Sequence, residues 1–158
     1  MLRRMDATAL ARSLLDPIPA HRTVGLEVVR AVNGVGVVAV TASPSFANVI
    51  GSLHSSGLIT LVDAAGLAAI ISAAPTDDAF HGVVPLGAAA TLRFLAPARG
   101  HLVATCRIDP DAREVLAEVF IGVSTRVRIT TTTEIVDDAG GVVCQGSFDW
   151  SVRRPAAA

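Results

Sequence analysis

The stretch that decides the fold runs from residue 54 to residue 75: His54-Ser55-Ser56-Gly57-Leu58-Ile59-Thr60-Leu61-Val62-Asp63-Ala64-Ala65-Gly66-Leu67-Ala68-Ala69-Ile70-Ile71-Ser72-Ala73-Ala74-Pro75. Apolar residues fall on nearly every side of the helix this predicts over about 54–74, and Pro75 with Thr76-Asp77-Asp78 ends it. A helix apolar all round cannot lie on an open sheet with one face wet, so it has to be wrapped. The run from Leu58 to Ala74 is just short of a membrane span, carries Asp63 inside it and lacks flanking Lys or Arg anchors. It reads as a buried helix and not as a span.

Working outward, the flanking segments supply the wrapping. Residues 7–15 form a short helical pattern that stops at Asp16-Pro17-Ile18-Pro19. Val24 to Val32 and Val35 to Ala42 read as strands joined at Asn33-Gly34, a strong hairpin signal because both positions tolerate positive φ. Beyond the helix, Ala88 to Ala96 reads as a strand closed by Pro97-Ala98-Arg99-Gly100, with His101 to Ile108 returning as its partner. Asp109-Pro110 is an N-cap followed by proline at the first helical position, and Val115, Leu116, Val119 and Phe120 follow at helical spacing. Arg126 to Val136 places Val127, Ile129, Thr131, Thr133 and Ile135 on one face, and Asp137-Asp138-Ala139-Gly140-Gly141 turns into a last strand, Val142 to Val152. The expectation is an α+β chain read as one domain over 1–158, with an antiparallel sheet of about six strands curled around one long central helix. That is the hot-dog architecture. A generic α+β sandwich with the helix at a subunit interface is its rival.

Composition narrows the function classes. The chain of 158 residues is 51% hydrophobic and 17% charged, with a mean hydropathy of +0.55. The charged fraction lies below the roughly 25% usual for soluble domains, which excludes intrinsic disorder. A net charge of −1 gives no basic face for nucleic acid. The start, Met1 to Asp6, has no apolar run of signal-peptide length behind it, and Cys106 and Cys144 have neither metal-ligand spacing nor disulfide density, so a cytoplasmic protein is expected. No metal site is expected, and His21, His81 and His101 read as surface or turn residues. No Gly-x-Ser-x-Gly elbow, Walker or Rossmann glycine pattern occurs.

The chemistry gathers at Asn48-Val49-Ile50-Gly51-Ser52-Leu53-His54-Ser55-Ser56-Gly57 and at Asp63. Here the sequence resembles the hot-dog thioesterases of the phenylacetate-degradation and 4-hydroxybenzoyl-CoA types. Their pattern is an Asn, then Gly-Ser/Thr-x-His-Gly-Gly, then an acidic residue nine positions after the His. Asn48, Gly51, Ser52, His54 and Asp63 fall in register, and Ser55-Ser56 departs from Gly-Gly. The resemblance covers about residues 24–152 and implies an acyl-CoA or acyl-carrier thioesterase, assembled as a dimer or a dimer of dimers. Coenzyme A would enter as part of the substrate, with no separate cofactor.

The residues support that chemistry in their own right. Amides at the start of a helix are free and sit at its positive end, so those of Ser55, Ser56 and Gly57 can polarise a thioester carbonyl. Asp63, in an apolar setting that raises a carboxyl pKa, can serve as general base or nucleophile; alternatively it is a buried carboxylate held by donors such as Thr60. Nine residues of helix span roughly 13 Å and turn the side chain about half a revolution, so a working site takes Asp63 from a second subunit. His54 orients substrate or caps the helix. Asn48 fixes the connector or holds the attacking water. The chain has no lysine, and Arg93 and Arg99 are the arginines placed best for coenzyme A phosphates. Few aromatic residues point to an aliphatic pocket. Two other readings stand beside the thioesterase: a non-catalytic acyl-CoA-binding or sensing protein, which Ser55-Ser56 would suit, and an acyl-CoA hydratase, whose His-x-Asp or His-Phe-Pro-Gly motifs do not occur.

Overall fold

Asn33 and Gly34 both take positive φ, 50° and 79°, and close the hairpin expected there. It joins β1 (Glu27–Val32) to β2 (Val35–Thr41) in a computed structural model that describes residues 6–155. The reading of the first residues as lacking an export signal, and the alanine tail 156–158, lie outside those residues or at their margin. Helix α1 (Thr8–Leu15) lies along β1, where Arg12 Nε donates to the Val28 carbonyl at 3.0 Å. The first strand starts later than expected. Pro19 opens a further short helix, α2 (Pro19–Val24), because its ring suits the first helical position and costs no amide bond there.

The central helix, α3 (Ser55–Ala73), is followed by a single turn, α4 (Asp77–Phe80), and then by β3 (Val84–Phe94), four residues longer at its start than the sequence pattern indicated. The remaining elements are β4 (His101–Arg107), α5 (Pro110–Phe120), β5 (Arg126–Val136) and β6 (Val142–Arg153). All pairings are antiparallel, in the order β1-β2-β4-β5-β6-β3, and the sheet curls around α3.

One pairing corrects the sequence reading. β3 and β4 are not partners: β3 pairs with β6 at the sheet edge, while β4 lies between β2 and β5. The segment Pro97 to Gly100 looks like a tight turn but serves as a crossing. Its Ala98 amide donates to Ser52 Oγ at 2.8 Å and its Ala98 carbonyl accepts the Leu53 amide at 2.8 Å, so the connector ahead of α3 holds it instead of a hairpin ladder.

Small residues let the sheet close on the helix. A Cβ on Gly36 of β2 would stand 2.3 Å from the Ala65 carbonyl oxygen and 2.5 Å from the Ala69 amide nitrogen, so only glycine fits. Beneath the opposite side of α3, the buried Trp150 donates its Nε1 proton to Thr131 Oγ1 at 2.8 Å and stacks on Phe148. All five inward positions expected on β5, Val127 to Ile135, are buried. After β6, Arg154 donates to the carbonyls of Ala79 and His81 beside α4 and of Val119 and Phe120 in α5, joining the two segments.

The wrapping is incomplete, contrary to the expectation from hydropathy. A stripe of α3, made of Ser56, Ile59, Asp63 and Leu67, stays at or near the surface, with Ile59 40% exposed. Spacings of three and four residues put these four on one helical face. The edge strand β3 is open as well: of its 11 residues only Pro85 and Leu92 are half-buried and the rest are exposed.

Candidate active site at the start of the central helix

The connector that feeds α3 is built around Asn48. Its side-chain oxygen accepts the amides of Ile50 at 3.1 Å and Ser52 at 3.0 Å, its own amide donates to the Ser52 carbonyl, and Gly51 completes the turn with φ of 76°. Of the two roles open to Asn48, fixing the connector is the one its carbonyl oxygen performs. Arg99 reaches back from the crossing segment and donates through Nη2 to the Ile50 carbonyl at 2.6 Å. Arg93 is exposed on β3, its side chain alternating to the face opposite Leu92 and Phe94.

His54 is the N-cap of α3. Its Nδ1 accepts the Ser56 amide at 3.1 Å and shares a hydrogen bond of 2.7 Å with Ser56 Oγ, while its ring meets Phe46 edge-on at 6.4 Å. The Gly57 and Leu58 amides both donate to the His54 carbonyl, at 2.9 and 3.2 Å. Three of the first four amides of the helix are therefore engaged. The amide of Ser55 has no acceptor among the described residues, and it stands at the positive end of a 19-residue helix. The expectation of three available donors narrows to one.

A cleft of about 410 Å³ opens in front of that amide, lined by Asn48, Ile50, Ser55, Leu58, Phe94 and Pro97 among others. Its wall is mostly aliphatic, with Phe94 the aromatic contribution. Phe94 and Pro97 went unnoticed as site residues in the sequence; what brings them here is the pairing of β3 with β6, which no local pattern announces. A larger cleft, about 650 Å³, crosses the outer face of β4, β5 and β6 between Arg107, Glu134 and Gln145, but no helix terminus opens onto it.

Asp63 is half-buried on the open stripe of α3. Burial pushes its carboxyl above the usual carboxylate value, and His21 pulls it part of the way back. His21 is the second correction, since it is buried and not at the surface. Its Nδ1 lies 2.8 Å from the Leu15 carbonyl, which can only accept, so that nitrogen carries the proton. No donor among the described residues hydrogen-bonds the Asp63 carboxylate, and Thr60, the partner considered for it, donates to the Ser56 carbonyl instead. Cys106 and Cys144 are free, buried thiols. No cluster of three His, Cys, Asp or Glu side chains able to hold a metal ion occurs among the described residues.

A family profile described as a domain of unknown function, DUF4442, matches residues 7–152. The chain belongs to the DUF4442 family. No curated protein sequence matches this DUF4442 chain at a significant level. Solved structures do. A Pseudomonas aeruginosa protein of unknown function, described as a probable thioesterase, is 25% identical, with a TM-score of 0.75 over 94% of this chain and 96% of that one. The Escherichia coli PaaI protein of the phenylacetic acid degradation operon is 19% identical, with a TM-score of 0.69 over 94% and 92%. A Haemophilus influenzae thioesterase is 14% identical, with a TM-score of 0.70 over 95% and 92%. The DUF4442 chain thus has the hot-dog fold of the thioesterase superfamily, and α3, although long and apolar enough to cross a membrane, is the core helix of that fold.

Proposed function

We propose that this protein hydrolyses acyl thioesters of coenzyme A or an acyl carrier. The observation that carries the reading is Asp63, a half-buried carboxylate of raised pKa that no donor among the described residues hydrogen-bonds, on the open stripe of the helix whose first amide has no acceptor among those residues either. A structural aspartate would have donors. A general base has to keep its oxygens available for water.

The geometry supports the following roles. The Ser55 amide donates to the thioester oxygen as negative charge develops on it, aided by the helix dipole. Asp63 takes a proton from water as it attacks the carbonyl carbon. The carbon–sulfur bond of the tetrahedral intermediate then breaks, and the departing thiolate takes the proton held by Asp63, which restores the carboxylate. His54 and Asn48 hold the helix start and the connector in place, and the aliphatic cleft receives part of the acyl thioester. The thioesterase-superfamily neighbours support this class of substrate.

Ser55 and Asp63 are eight residues apart on one helix, about 12 Å along its axis, whereas reacting atoms have to approach to about 3–3.5 Å. The site is therefore shared between two copies of the chain, the amide from one and the carboxylate from the other. The open strand β3 supports the same assembly, because a long, largely apolar edge strand exposed at nine of its 11 residues is a template for pairing with another strand. Two buried free thiols fit a reducing compartment such as the cytoplasm.

The test is release of free thiol from a panel of acyl-CoAs of increasing chain length, comparing the protein with Asp63→Asn and Asp63→Ala. Hydrolysis by the unaltered chain and its loss in both variants is the expected result. Equal turnover in all three removes the assigned role. Tight binding of a non-hydrolysable acyl-CoA with no hydrolysis at any chain length would favour a binding protein, a reading for which the single available amide is the supporting observation.

A further inference from the structure

Arg126 and Arg153 face each other directly across β5 and β6. Like charges at opposed positions destabilise a sheet, yet these two converge further. Nε of Arg126 donates to Ser151 Oγ at 3.1 Å, and Nε of Arg153 donates to the same oxygen at 3.2 Å. Ser151 is 6% exposed, and its hydroxyl proton has no acceptor among the described residues. Each guanidinium retains four further N–H donors.

Neither guanidinium lies within ion-pairing distance of a carboxylate among the described residues. Asp149, the next outward residue of β6, accepts the Thr130 hydroxyl at 2.7 Å. A third cation, Arg128, stands directly opposite Ser151. Three arginines thus share one patch of a chain whose net charge is −1.

We infer that Arg126, Arg153 and the Ser151 hydroxyl form a binding site for a phosphate group, with Arg128 at its margin. A carboxylate is satisfied by the fork of one guanidinium, whereas a phosphate offers three oxygens and up to two charges, matching two guanidiniums and a hydroxyl. The site is separate from the cleft at Ser55. Arg153 lies nine residues along β6 from Cys144, which pairs with Phe94 of the cleft, about 30 Å measured along the strand. The inference goes beyond thioester hydrolysis and is read by binding alone, so the absence of turnover would not touch it.

The test is calorimetric titration of the full chain at low ionic strength with two probes, inorganic phosphate and adenosine 3′,5′-bisphosphate, which is the nucleotide end of coenzyme A. Saturable binding is expected, weakened about tenfold or more in the double variant Arg126→Gln/Arg153→Gln and severalfold in Ser151→Ala, which keeps both charges and guards against misfolding of the double variant. Arg30→Gln, an exposed arginine on β1, leaves binding unchanged. Tighter binding of the bisphosphate assigns the site to a nucleotide, and equal binding of both probes assigns it to free phosphate; either supports it. No saturable binding, or equal weakening by Arg30→Gln, overturns it.

Discussion

The ring nitrogen Nδ1 of His54 accepts the Ser56 amide at 3.1 Å, so the side chain that the sequence offers as a substrate contact is engaged in holding the helix start. Replacing His54 by Ala removes the cap and lowers stability by about 1 kcal/mol. His54→Asn, a good capping residue, restores most of it. Chemical denaturation of the three proteins measures the difference. If thioester turnover follows stability across the set, the histidine acts through the helix; a loss of kcat in the stable Asn variant would assign it a direct contact.

Asp63 carries two expectations. In Asp63→Asn, kcat falls by about 10²–10⁴-fold, the usual size of a general-base contribution. In the unaltered protein, kcat/KM rises with pH through the pKa of Asp63, so the acidic limb lies above the ordinary aspartate value of 3.8. A limb at or below 3.8 contradicts the assignment.

The same carboxylate predicts a pH-dependent stability with a definite sign. The folded state raises the Asp63 pKa, so ionising it costs folding free energy. That cost is absent below the unfolded pKa, grows as pH rises through the folded pKa, and stays constant above it. Asp63→Asn should therefore raise Tm at pH 7 and leave it unchanged near pH 3. Thermal melts at the two pH values decide.

Complementation tests the shared site. Ser55→Pro deletes the amide proton at a helical position where proline is tolerated, and Asp63→Asn deletes the base. Each variant alone retains about a hundredth of the activity or less. Mixed and allowed to exchange subunits in equal amounts, half of the dimers contain both chains and each of these holds one intact site of two, so activity returns to about a quarter of the unaltered level. No recovery, with exchange verified by mass, excludes a site built from two copies.

Gly36 tests the packing that wraps the helix. A methyl group there would lie 2.3 Å from the Ala65 carbonyl oxygen, so Gly36→Ala forces β2 away from α3 and costs about 1–3 kcal/mol or more. The urea midpoint reports it directly.

Most of the architecture was legible because its signals are local. Asn33-Gly34 specifies a hairpin by φ alone, Asp109-Pro110 specifies a helix start by its cap and ring, and the alternation from Val127 to Ile135 specifies a buried face. The pairing of β3 was not legible, because Pro97 to Gly100 carries the residues of a turn while the bonds that direct it come from Ser52 and Leu53, more than 40 positions earlier. At the site, residue types and register were readable but allegiance was not. Asn48, His54 and Ser56 could each serve substrate or backbone, and only the folded geometry shows their hydrogen bonds turned inward. The burial of His21 was hidden for a related reason: a short helix opened by Pro19 brings its ring against the carbonyl of Leu15 at the end of α1, and neither its neighbours nor its spacing marks it as apolar.

The position of Arg154 bears on how the chain is made. Its guanidinium is the shared partner of carbonyls from residues 79, 81, 119 and 120, yet it follows every strand in the order of synthesis. On a translating ribosome, the α4 turn and the end of α5 leave the exit tunnel well before the group that ties them together. Those two segments have to wait, unfastened, until β6 has emerged and Arg154 behind it.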